Sequence, residues 1–134
     1  MKRTCIALAA LALTSACSAG SSGPKQPAVS AFADGTCRTA APYVLTIGKQ
    51  VRKLGTSSTA AAGPLSELGS AQDRLDPIAS GAEPTYQPAL RKLVTAVGLV
   101  RLRDHTRSYV PSLGQDVVTA YDGVLAVCTK QPAS

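Results

Sequence analysis

The chain has 134 residues, a formal charge of +6 and an apolar fraction of 45%, which leaves room for one domain. It has no Trp, one Phe, four scattered Tyr and one His; base stacking on a nucleic acid and a multi-histidine metal centre are therefore not supplied. A core made largely of Ala, Val and Leu buries little area per residue and calls for a covalent staple.

Met1-Lys2-Arg3-Thr4 is a short positive segment, and Cys5 to Leu13 is an apolar run of nine residues, too short to span a bilayer as a helix. Small residues Thr14, Ser15 and Ala16 lead into Cys17, and a Ser/Ala/Gly run follows. Leu13 to Cys17 resembles the lipobox of a bacterial lipoprotein signal peptide, with Thr14 where that family usually carries an aliphatic residue. The resemblance implies diacylglycerol attached to Cys17 and cleavage between Ala16 and Cys17. The product would be a lipid-anchored protein on the extracytoplasmic face of the cell membrane. The alternative is an ordinary secretory signal cut near Ala16 or Ala19, giving a soluble secreted protein. Removing residues 1–16 takes away Lys2 and Arg3 and leaves 12 basic against 8 acidic residues, a charge of about +4 that suits an anionic envelope surface.

Residues 17–33 read as a lipid-anchored flexible linker, rich in Ser, Gly and Pro to about Ala31. Residues 34–130 are the expected helical bundle domain, with a helical apolar period from Cys37 onward, and 131–134 is a short tail. Cys37, Ala40, Val44, Ile47, Val51 and Leu54 step by three and four, as do Leu68, Ala71, Leu75 and Ile78. Tyr86, Leu90, Leu93, Val97 and Val100 form a third stripe, widened by Val94, Leu99 and Leu102. Val110, Leu113, Val117, Tyr121, Val124 and Cys128 form the fourth. Thr39 to Pro42, Thr85 to Pro88 and Ser108 to Pro111 each offer a hydroxyl cap with proline in the first helical turn. A first helix starting near Asp34 and bent at Pro42 is the alternative start. The third connection, near Thr106 to Ser108, is short enough that a kinked continuous helix is the alternative there.

Four amphipathic helices with short connections predict an all-α, up-down-up-down four-helix bundle after a signal peptide and flexible linker. Gly48, Gly69, Gly98 and Gly123, one inside each helix, each cost about 1 kcal/mol relative to Ala. They read as compositional drift rather than as close helix approaches.

With Cys5 lost in the leader and Cys17 lipidated, Cys37 and Cys128 remain as a disulfide pair in an oxidising compartment. An up-down bundle puts the start of helix one and the end of helix four at one end, where such a bond can close.

Signals for catalysis are poor. Asp104, His105 and Ser108 are too close along one helix end to form a triad, and Glu67, Asp73 and Asp76 read as a solvated face. His105 and Tyr109 at i, i+4 are candidate haem ligands for an alternative small-ligand carrier. No metal and no cofactor is expected. Basic residues gather at two helix ends: Lys49, Arg52 and Lys53, and Arg101, Arg103 and Arg107. These predict a basic pole opposite the disulfide. With the tether entering at the disulfide end, that pole would point away from the membrane, toward an anionic wall polymer or an acidic envelope protein. The functional expectation is a small, non-enzymatic envelope lipoprotein acting as a binding or assembly module.

Overall fold

The computed structural model describes residues 25–54 and 60–129; the expected signal peptide (1–16), Cys17, residues 18–24 of the expected linker, the connection at 55–59 and residues 130–134 lie outside them. Among the described residues the elements are a single 3-10 turn (Val29–Ala31) and four α-helices: α1 (Thr36–Val51), α2 (Ala62–Ser80), α3 (Gln87–His105) and α4 (Pro111–Cys128). Each helix packs against the next and α1 closes against α4, while the diagonal pairs do not meet. That is the predicted up-down-up-down bundle. No helix among the described residues is long and apolar enough to cross a membrane.

The helical period identifies the core. Cys37, Ala40, Val44, Ile47 and Val51 of α1 are buried, with Leu54 just beyond it; so are Leu68, Ala71 and Leu75 of α2, and Leu90, Leu93, Val97 and Val100 of α3. Val117, Tyr121, Val124 and Cys128 complete the set from α4, while Ile78, Tyr86 and Leu113 are half-buried against it and Val110, just ahead of α4, is 49% exposed. The widening of the third stripe holds for Val94, which is half-buried against the core, but not for Leu99 and Leu102. Leu99 and Leu102 are 37% and 57% exposed, because α3 touches α2 and α4 and nothing covers its outer side.

Two of the three expected prolines sit in a first helical turn, Pro88 and Pro111. Pro42 does not. α1 begins at Thr36, so Pro42 falls in its second turn and denies the Arg38 carbonyl its helical donor. The predicted hydroxyl caps are also unused: the N-caps are Gly35, Ala61, Tyr86 and Val110, none with a side-chain cap bond. Thr39 Oγ1 instead donates back to Gly35 O at 3.1 Å, inside the helix.

The break between α3 and α4 is sharp. Arg107 adopts φ 55, and its N–H donates to Asp104 O at 2.9 Å, while Ser108 N–H donates to Arg103 O at 2.7 Å. This double bond pattern is a Schellman motif with arginine in the left-handed position that glycine usually takes.

Cys37 and Cys128 are joined, with 5.3 Å between their Cα atoms. The residues just before α1 belong to the same cluster. Phe32, placed in the linker by composition, is fully buried; it makes a bridge with Thr129, and Ala33 N–H donates to Cys128 O at 2.7 Å. The boundary of the folded part therefore moves ahead of Phe32. Arg38 holds this segment from the helix, bonding Phe32 O at 3.0 Å and pairing with Asp34 at 2.9 Å. Gly35, at φ 85, reverses the chain between the segment and α1. Upstream, Gln26 Nε2 donates to Leu45 O at 2.8 Å, so residues 25–33 lie as a strap along α1.

Gly48 is not compositional drift. A Cβ there would fall far inside van der Waals contact with the Tyr121 ring, which fills the space that the missing side chain leaves. Gly123, by contrast, has nothing within 4 Å. Gly48→Ala is expected to lose about 1–3 kcal/mol from overpacking, whereas Gly123→Ala gains up to about 1 kcal/mol from helix propensity. Urea midpoints of the two variants, measured side by side, check the contrast; equal shifts would contradict it.

Candidate functional site: the basic end and the α2–α3 seam

The end opposite the disulfide is assembled from four chain segments. Leu54 O accepts Ala61 N–H at 3.3 Å, and the Asp104 carboxylate accepts Ala60 N–H at 3.2 Å. At Gly114 the Tyr109 hydroxyl and Leu54 both approach the position a Cβ would take, at 3.2 and 3.8 Å. The C-termini of α1 and α3 and the N-termini of α2 and α4 therefore meet here. Exposed Lys49, Arg52, Lys53, Arg103 and Arg107 lie on the last turns of α1 and α3 or just beyond them. Cations at helix C-termini are favoured by the helix dipole, which accounts for some of this gathering.

Arg101 does not join them. Its Nη1 donates to Gln72 Oε1 at 2.6 Å and to Asp73 Oδ1 at 3.0 Å, laying the guanidinium along the seam between α2 and α3. Two glycines make the seam passable. The Arg101 guanidinium comes within 3.1 Å of where a Gly69 Cβ would be, and Gln72 Nε2 within 2.8 Å of that of Gly98. Gln72 is itself anchored through Nε2 to Val94 O at 3.1 Å. Gly69 and Gly98 are thus close-approach residues, like Gly48. Their pattern in the sequence was visible; the side chains they admit come from the facing helix and were not.

On either side of Arg101 the seam opens into shallow, solvent-facing depressions of about 560 and 470 Å³. Gln72, Gly98, Leu102 and His105 line the first, while Ala60, Ser66, Gly69 and Ser70 line the second. His105 and Tyr109, the pair with haem-ligand spacing, are parted by the α3–α4 break. His105 is exposed at the seam; Tyr109 is 3% exposed and sits against Leu54 and Gly114. Asp104 is turned to the Ala60 amide and Ser108 Oγ to Thr106 Oγ1 at 2.7 Å, so neither is directed to His105.

The two buried tyrosines have phenols shifted above the ordinary range. For Tyr109 burial is the main cause and the Asp104 charge adds to it. For Tyr121 burial again dominates, opposed by the Gln26 amide and the Arg52 charge, with Asp122 acting in the raising direction. Arg52 lies over the Tyr121 ring, 5.9 Å from its centroid, and the Tyr121 hydroxyl is buried without a hydrogen bond of good geometry, because the nearby Gln26 amide is given to Leu45 O. Among the described residues no group of three or more His, Cys, Asp or Glu gathers to hold a metal ion. No protein-family profile, curated protein sequence or solved structure matches this chain.

Proposed function

We propose that this chain is a small cell-envelope lipoprotein, anchored through Cys17, that works as a non-enzymatic binding or assembly module. The basic end of the bundle would dock an anionic wall polymer or an acidic envelope protein. Arg107 carries the reading. A left-handed backbone costs a non-glycine residue on the order of 1 kcal/mol, yet the chain keeps an arginine there, exposed and at a helix C-terminus. Arg103, one turn earlier and also exposed, adds a second cation beside it. Arg101 supports the seam and is not part of the docking set.

That division defines the test. Arg107→Gly keeps the Schellman motif while removing the charge, and Arg103→Gln removes the second cation from an exposed position. The double variant is expected to melt at or slightly above the parent temperature. It should bind an anionic polymer such as poly(glycerol phosphate) roughly tenfold more weakly at low salt. Unchanged affinity in a folded double variant would refute the assignment.

A further inference from the structure

Where the chain enters the bundle has a consequence for how the protein sits on a membrane. Cys17 and Lys25 are eight residues apart. That length reaches at most ~28 Å and spans roughly 16 Å on average. A tether joined at the disulfide end would hold that end near the bilayer. The strap changes this. Gln26 is fastened to Leu45 O at 2.8 Å, near the middle of α1 and two turns from Cys37, so the chain arrives at the side of the bundle, about midway between the disulfide and the basic end.

Helix geometry sharpens the placement. Leu45, Lys49 and Arg52 are spaced by four and three residues and share one face of α1, with Lys53 at its margin. The Gln26 amide acts on the Tyr121 phenol, and the Arg52 guanidinium lies 5.9 Å from the centre of the same ring. Exposed Lys25, next to Gln26 in the chain, is thus brought to the side of α1 that carries exposed Lys49 and Arg52. Asp122 of α4 also acts on the Tyr121 phenol, in the raising direction.

We propose that the stripe formed by Lys25, Lys49, Arg52 and Lys53 docks onto the anionic phospholipid headgroups of the membrane that holds Cys17. The inference rests on the Cys17 anchor proposed above. Two observations commit the surface to lipid. The chain outside the structure is short, and it ends at this stripe, so an anchored bilayer is never more than a few nanometres from it. The charge of the stripe is also opposite to that of an anionic leaflet, and a lipid chain combined with a basic patch is a two-signal membrane attachment. Because α3 is diagonal to α1, Arg103, Arg107 and the α2–α3 seam would then face away from the bilayer, available to a partner.

The lysines themselves report the orientation. The mature lipoprotein is reconstituted on vesicles of phosphatidylcholine alone, or of phosphatidylcholine with phosphatidylglycerol. It is then treated briefly with a water-soluble acylating reagent, and each lysine is quantified by mass spectrometry. Lys25, Lys49 and Lys53 are expected to react at least threefold more slowly on the anionic vesicles, an effect erased by 1 M salt. Lys92, exposed on α3, should react equally on both. Equal rates at all four lysines, or protection at Lys92 instead, would overturn the proposal while leaving the anchor intact. Failure of the protein to float with neutral vesicles would refute the anchor, and the docking proposal with it.

Discussion

Replacing both Cys37 and Cys128 with alanine is expected to lower folding stability by about 4 kcal/mol. The bond links residues 91 apart, and loop-closure entropy removed from the unfolded chain grows with the loop it closes. The rest of the core is poor in large side chains: Ala40, Ala41, Ala71, Ala79, Ala82 and Ala120 fill much of it, and Tyr109, Tyr121 and Phe32 are its aromatic members. A domain of this size has little margin to absorb such a loss. On thermal unfolding followed by far-ultraviolet circular dichroism, the change corresponds to a fall on the order of 20 °C. A fall of only a few degrees would show that the core carries the fold without its staple.

Phe32→Ala is expected to cost about 3–5 kcal/mol, although composition assigns that residue to a linker. Its side chain is fully buried where the strap turns into α1, beside the Thr129 bridge and the Ala33–Cys128 hydrogen bond. Loss of the ring leaves a cavity next to the disulfide. The two effects are therefore coupled, and the triple variant should lose less than the separate losses combined. Urea unfolding of the wild type, Phe32→Ala, the double-cysteine variant and their combination measures both quantities. If Phe32→Ala costs less than about 1 kcal/mol, the strap is not part of the folded unit. Strict additivity would instead separate the strap from the disulfide.

Some features were readable from the chain because they are local. Apolar spacing of three and four marks a helix face without reference to any partner, and proline marks a first turn at Pro88 and Pro111. Pro42 misled for the same reason. A local rule prefers proline near a start, but burial of Cys37 in the disulfide cluster extends α1 one turn earlier. The hydroxyl caps failed similarly, since capping contributes about 1 kcal/mol and tertiary packing outweighs it. The basic residues at the candidate site were named from sequence, but the turn of the Arg101 side chain into the α2–α3 seam was not. Its partners Gln72 and Asp73 lie on another helix, and no spacing rule relates them.

The sequence by itself determined four helices and their core faces. It also determined the connection lengths that make the bundle antiparallel and the two cysteines that close it. Each follows from periodicity, chain connectivity or residue count. Only the tertiary structure decided which side chain each glycine admits: Tyr121 against Gly48, Arg101 against Gly69 and Gln72 against Gly98. It alone moved the entry of the chain from the disulfide end to the middle of α1, because Gln26 meets Leu45 through a backbone carbonyl that carries no sequence signature. Close packing between distant segments depends on shape at the point of contact, and shape exists only once the helices have met.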